Sequence, residues 1–269
     1  MTAASSTPGR SVAAPRRAGF LRDLVSVATR ALRAIPRAPA EVIPALVIPV
    51  FFFVVNIGAL EPVAEATGVP DFRAFQLPVA IVFAVTGVSR ASSLVTDISS
   101  GYFDRLLLTP MHRSALLLGL MVADLVLVMA LCVPVLLLGF LVGVEFVTGL
   151  AGILAFIAIA GLWGLAFTGF PYAIALRTGS PAAVNASFLL FFPFAFLTTS
   201  FLPQDALTGW LATIADYNPI TYLLATLRSL ISGGWVWDDL WPGLLAIAVV
   251  GAASFTLAFA TLRGRVSRD

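Results

Sequence analysis

Polar positions along this chain fall in short clusters between long apolar runs, and the lengths of those runs decide the class of protein. The clearest run, Leu240–Leu262, has no charged residue in 23 positions. A helix that crosses a bilayer needs about 20 mostly apolar residues. The pattern predicts six such helices, at about Val42–Leu60, Ala74–Thr96, Ser114–Val144, Thr148–Leu176, Ala183–Leu202 and Trp241–Leu262. Prolines inside several of them, Pro44 and Pro49 among them, predict kinks, because each removes a helix hydrogen bond. The third and fourth runs are longer than one crossing requires and imply tilt or extension beyond the hydrocarbon. The expected fold class is an all-α integral membrane protein.

A different period precedes these runs. In Phe20–Ile35, the residues Phe20, Leu21, Leu24, Val25, Ala28, Ala31, Leu32 and Ile35 fall on one helical face, and Arg22, Ser26, Thr29, Arg30 and Arg33 on the other. An arginine-edged amphipathic helix suits the headgroup plane; an ordinary helix packed on a partner is the plainer reading. Residues 1–19 read as a tail of Ala, Ser, Pro and Arg with no cleavable signal peptide, which leaves the first spanning helix as signal-anchor. The chain thus divides into a tail and interfacial helix (1–39) and a six-helix membrane domain (40–269).

Charge sets the orientation. All 16 basic residues are arginine. With six crossings, 14 of the 16 fall on the side of the termini, and only Arg73 and Arg228 fall opposite. Arginine accumulates on the cytoplasmic side, so both termini are expected inside, in a bacterial plasma membrane. Four of the five tryptophans, Trp210, Trp235, Trp237 and Trp241, lie between the fifth and sixth runs, the headgroup placement such rings prefer. The same outer segment, 203–240, is half apolar and reads as two short re-entrant helices near 205–233; a loop with some buried residues is the alternative.

Composition narrows the chemistry. Charged residues make up 11% of the chain and hydrophobic ones 59%, far from the roughly one-quarter charged residues of soluble domains. Without lysine the chain has no Gly-Lys-Ser/Thr phosphate loop and no Schiff-base lysine. The one histidine, His112, cannot build a metal site alone, and Cys132 reads as small apolar filler. No basic stripe with interleaved aromatics points to nucleic acid.

The connection between the second and third runs is the most specific segment. In Ser99-Ser100-Gly101-Tyr102-Phe103-Asp104-Arg105-Leu106-Leu107-Leu108-Thr109-Pro110, Ser99 or Ser100 can cap a short helix that Pro110 ends. Phe103, Leu106 and Leu107 would form its apolar face, which suits a groove on another protein. Gly101 to Arg113, followed by Leu118-Gly119, resembles the signature of type-2 ABC exporter permeases of the daunorubicin-resistance and polysaccharide-export kinds. Asn218-Pro219-Ile220-Thr221-Tyr222, with Arg228 and Gly233 after it, resembles the motif before the last helix in that family. One departure is that Asp97 stands where the family usually has glutamate, and Ile98-Ser99-Ser100 carries no charge. The resemblance covers the whole chain. It implies a permease that binds no cofactor itself and pairs with a second permease subunit, alike or related. It also implies a separate ABC ATPase that holds ATP and Mg. Tyr102, Phe103, Asp104, Arg105, Leu106 and Leu107 would form the coupling helix, and Phe20–Ile35 a connecting helix touching membrane lipid and ATPase.

Two intramembrane charges remain. Asp124 lies about ten residues into the third run. It is read either as a proton or substrate contact or as a partner of Arg90, which could also snorkel to the inner interface. The fifth run carries Phe188, Phe191, Phe192, Phe194 and Phe196, which suit an amphiphilic or apolar cargo as path residues, or a lipid face or core as ordinary ones. The expected function is an ATP-driven exporter permease for a drug, lipid or glycolipid. The alternative, an ion- or proton-coupled transporter, requires paired intramembrane carboxylates or repeated broken helices.

Overall fold

The computed structural model describes residues 19–266, apart from 38, 67–68, 70, 109–110 and 190, and leaves out the side chains of Ala40, Glu41, Glu65, Asp104, Leu107 and Val266. Arg10, Arg16, Arg17 and Arg268 of the orientation count, and the expected stop at Pro110, lie outside these residues. Among the described residues the protein is helical, with no strand.

Among the described residues, five helices are long and apolar enough to cross a membrane: Val42–Ala64, Phe72–Ser99, Arg113–Leu141, Gly149–Thr178 and Trp237–Arg265. They correspond to α2 (Pro39–Ala66), α3 with α4 (Phe72–Thr86 and Ala91–Ser99), α6 (Arg113–Leu141), α7 (Gly149–Thr178) and α12 (Trp237–Val266). The fifth expected crossing, Ala183–Leu202, is instead a helical stretch over α8 (Pro181–Leu189) and α9 (Phe191–Phe196), with residue 190 between them outside the described residues. Together they are shorter than a full crossing. α9 ends in a buried polar turn, where the Thr198 and Ser200 hydroxyls both bond Ala195 O, so the chain leaves the helix before the expected end.

α1 (Phe20–Ala34) lies against the first half of α6, followed by the tight turn Ile35–Arg37. Gly119 permits the approach: a Cβ there would lie 2.7 Å from Val27 Cβ and 2.9 Å from Leu24 O. The buried side of α1 is Asp23, Val27, Ala28 and Ala31. Leu21 and Val25, assigned to the apolar face above, point outward at 73% and 58% exposure. Asp23 accepts hydrogen bonds from the His112 backbone N–H at 3.1 Å and lies 3.3 Å from His112 Nδ1. A short polar pair therefore decides which side of α1 turns inward.

α7 and α12 form the closest long crossing. A Cβ on Gly169 would come within 2.5 Å of Ser254 backbone and hydroxyl atoms, and the Ser254 hydroxyl donates to Ala166 O. Small residues let membrane helices approach until such bonds form.

The second expected helix is not continuous. α3 ends at Thr86, residues Gly87 to Arg90 leave the helix, and α4 begins at Ala91. This break divides the interior into two apolar clusters. One holds Leu77, Ile81, Val85, Val88, Leu127, Val128, Val135 and Trp163. The other holds Val27, Ala31, Ala91, Leu94, Phe103, Leu117 and Met121. Along α6 the change falls between Ala123 and Leu127, and along α3–α4 between Val88 and Ala91.

The segment before α12 folds into α10 (Gly209–Tyr217) and α11 (Pro219–Arg228), then a π-helical turn at Ser229–Gly233. α11 is buried along Ile220, Leu223, Leu224 and Leu227, whereas α10 buries only Ala215 among its described side chains. Trp210, Trp235, Trp237 and Trp241 are all exposed.

Candidate functional site

The polar layer between the two apolar clusters is built on Asp124, which is fully buried. Its Oδ1 accepts the Arg90 backbone N–H at 2.8 Å. Its Oδ2 accepts the Ser89 hydroxyl at 3.1 Å and the Tyr172 hydroxyl at 2.8 Å. A helix break in an apolar interior leaves N–H groups that must find acceptors, and Asp124 supplies one. Arg90 is itself buried, which corrects the snorkelling alternative. Its backbone N–H makes the bond to Asp124, with the charge of its side chain nearby. Sequence reasoning missed Ser89 and Tyr172. Tyr172 is a hydroxyl in an apolar helix, a weak signal by itself.

Beside this layer a cavity of about 430 Å³ opens between α2, the α3–α4 break and α8–α9. Pro44, Ile48 and Pro49 form one wall, Phe83, Phe188, Phe191 and Phe192 the other, and Gly87, Val88, Ser89, Ser92 and Asn185 one end. No lining residue is charged. The Phe83 ring meets those of Phe191, Phe192 and Phe196 at 5.5 to 5.9 Å. Of the fifth-run aromatics, Phe188, Phe191 and Phe192 face this space, while Phe194 is 59% exposed.

Below the layer, α4 leads into α5 (Tyr102–Leu107). Gly101, at φ 69°, turns the chain, and its carbonyl accepts the Arg105 N–H. A positive φ suits glycine, so Gly101 starts α5; Ser100 closes α4 instead of capping the next helix. Phe103 is buried in the protein's own apolar cluster, and Leu106 packs against it. This corrects the expected outward face. The outward side chains are Tyr102, Arg105 and Leu108, the last 87% exposed. The side chains of Asp104 and Leu107 lie outside the described residues. Arg30 of α1 bonds Asp97 of α4 at 2.7 Å and lies 4.7 Å from the Tyr102 ring centre. Asp97, the departure from the family pattern, thus fastens α1 to the arm that carries α5.

The second motif converges on the end of α9. The Asn218 amide donates to Phe194 O at 2.6 Å and Leu197 O at 2.9 Å, and its oxygen accepts the Ile220 N–H. Pro219 occupies the first turn of α11, where its missing N–H costs nothing. Arg228 donates to Thr199 O at 2.8 Å, Thr199 Oγ1 at 3.0 Å and Phe75 O at 3.1 Å, with its guanidinium 3.5 Å from the Phe75 ring centre. The Tyr222 hydroxyl donates to Asp216 O. Thr199 and Phe75 are partners the sequence did not reveal.

The family model for ABC-2 type transporters matches residues 22–231, a stretch that contains most of α1, the α3–α4 break, α5 and the whole Asn218–Arg228 motif. The chain belongs to the ABC-2 type transporter family. It is 25% identical over 259 residues to the daunorubicin resistance ABC transporter permease protein DrrB1 of Streptomyces coeruleorubidus, covering 95% of this chain and 89% of that one. It is 26% identical over 217 residues to the probable doxorubicin resistance ABC transporter permease protein DrrC of Mycobacterium tuberculosis (80% and 79% covered). Over 228 residues it is also 26% identical to the putative transport permease ycf38 of Cyanophora paradoxa (82% and 78% covered). With these relatives and its apolar helices, this ABC-2 chain is a multi-pass membrane permease.

Proposed function

We propose that the chain is the membrane half of an ATP-driven exporter for an amphiphilic or hydrophobic substrate. The observation that carries this reading is the cavity beside the broken helix. Phenylalanines and prolines offer apolar contact, and Ser89, Ser92 and Asn185 offer hydrogen bonds at one end. Ligand sites combine an apolar wall with a few convergent polar groups in this way. The drug-resistance names of the two actinobacterial relatives support the direction and class of transport.

ATP is bound and hydrolysed, on this reading, by a separate ABC ATPase that meets Tyr102, Arg105 and Leu108. Its movement reaches α4 through α5 and reaches α1 through the Arg30–Asp97 pair. α4 starts at the break whose Gly87, Val88 and Ser89 line the cavity. The polar layer around Asp124 holds this joint together while the lower arm shifts. α2 leaves Val47, Phe51 and Val63 largely exposed, which suits a second permease subunit or lipid at the open side of the cavity. The termini and α5 would face the cytoplasm, and α10 the outer side.

Reconstitution with the ATPase tests this. Efflux of a fluorescent amphiphile from vesicles should require ATP and persist when the pH gradient is collapsed. Uptake driven by a pH gradient without any ATPase would overturn the reading in favour of proton coupling.

A further inference from the structure

α1 carries a second feature, of which the coupling role uses only Arg30. Val25, Ser26, Thr29, Arg30, Arg33 and Arg37 line an open groove of about 470 Å³ on its outer side. Three guanidinium groups line it with no acidic lining residue. Arg30 is engaged by Asp97. Among the described residues Arg33 and Arg37 make no ion pair or hydrogen bond, and both are exposed. No acidic side chain among the described residues offsets their charge.

We infer that this groove binds the phosphate headgroup of an anionic phospholipid. A guanidinium fork matches phosphate oxygens in paired hydrogen bonds. Depth favours a lipid over a soluble anion: α2, the first membrane-spanning helix, begins two residues after Arg37. The groove thus lies where the chain enters the bilayer, the level of headgroups. Apolar surface accompanies the charge. Leu21 and Val25 on α1, and Ile43 and Val47 on the first turns of α2, are 54% to 73% exposed. An acidic face on a protein partner would satisfy the arginines but not these side chains; a phospholipid supplies both phosphate and acyl chain. With Arg33 and Arg37 unpaired among the described residues, an anionic headgroup is favoured over a zwitterionic one. The bound lipid would also share Arg30 with Asp97, and so sit against the joint between α1 and the α4–α5 arm. This inference does not depend on what the protein exports.

The test uses the full-length permease in a neutral detergent, with short-chain phosphatidylglycerol and short-chain phosphatidylcholine as probes. Binding is read by the rise in melting temperature as each lipid is titrated. Phosphatidylglycerol should bind more tightly, and its advantage should shrink with added salt. In the R33Q/R37Q double variant that advantage should fall by about tenfold or more, on the scale of two arginine–headgroup contacts. R22Q removes an exposed arginine of the same helix outside the groove and should leave it unchanged. Should the double variant fold poorly, R33K/R37K keeps the charge but not the fork and should show an intermediate preference. Undiminished preference in R33Q/R37Q, an equal loss in R22Q, or insensitivity to salt in the wild type would overturn the inference. So would equal stabilisation by inorganic phosphate, which would mark a soluble-anion site. A double variant that keeps the lipid preference yet loses its ATPase would assign the groove to a protein partner instead.

Discussion

The Tyr172 hydroxyl donates a 2.8 Å hydrogen bond to Asp124, and both side chains are fully buried where the two apolar clusters meet. The bond joins α7 to α6 at the level where α3 gives way to α4. Asp124 is therefore the acceptor of a three-donor layer, and its main structural task is to satisfy a broken backbone.

Replacing Asp124 should be costly in proportion to the donors it strands. In Asp124→Ala the Arg90 N–H, Ser89 hydroxyl and Tyr172 hydroxyl lose their acceptor, at about 1–3 kcal/mol for each buried group left unsatisfied. Tyr172→Phe removes one bond and should cost about 1 kcal/mol. Arg90→Leu with Asp124→Leu should recover only part of the loss, because the backbone N–H and two hydroxyls stay stranded. Thermal unfolding followed by size-exclusion fluorescence reads these differences. Full recovery in the double variant would mean that a side-chain ion pair outweighs the backbone contact.

Arg228 is a fork that holds α11 to Phe75 and Thr199. Arg228→Lys keeps the charge but cannot reach three acceptors and cover the ring at once. We expect a loss of about 2 kcal/mol or more, on the scale of hydrogen bonds to a charged group. Proteolysis between residues 199 and 209 should accelerate in parallel. A variant as stable and as resistant as the wild type would remove the staple role.

The two faces of α5 should separate experimentally. Phe103→Ala empties a buried ring site and should destabilise the permease itself by about 3–5 kcal/mol. Leu106→Asp should also unfold it, since Leu106 packs on the same cluster. Leu108→Asp and Arg105→Glu should leave the melting temperature unchanged and reduce co-purification of the ATPase. Intact co-purification in both would place the partner surface elsewhere.

Gly169→Ala forces a methyl group against the backbone of Ser254. Overpacking of this kind costs about 1–3 kcal/mol, and separation of α7 from α12 would also break the Ser254 bond to Ala166. Gly58→Ala meets nothing within 4 Å on α2 and should be neutral or slightly stabilising. Equal melting temperatures for the two variants would contradict the close crossing.

Orientation can be read with thiol reagents in a Cys132→Ser background. A cysteine replacing Leu108 should react only after the membrane is permeabilised, and one replacing exposed Tyr217 should react in intact cells. Reaction at position 108 from outside would invert the proposed topology.

The fold class was legible because hydropathy acts along the chain. A run such as Leu240–Leu262 must hide its backbone in a helix and its side chains from water, whatever its neighbours are. The start of α5 was misplaced, since the reading looked to Ser99 or Ser100 for a cap while the turn is made by Gly101 at positive φ. The break at Gly87–Arg90 was less legible, since the apolar residues on either side of it let Ala74–Thr96 pass for one run despite Ser89 and Arg90.

What the sequence determined by itself is therefore local: where most of the helices form and how apolar they are. Tertiary structure decided which face of each helix is inside and which polar groups meet. Phe103 turns inward because α1, α4 and α6 build an apolar cluster beside it, although its spacing equally permitted an outward face. Asp23 is buried and Leu21 exposed because Gly119 lets α1 approach α6 on one side and His112 lies there to pair. Asp124 meets Ser89, Arg90 and Tyr172 from distant parts of the chain. Hydrogen bonds are short-ranged and directional, so only packing in three dimensions can say which donor a buried carboxylate serves.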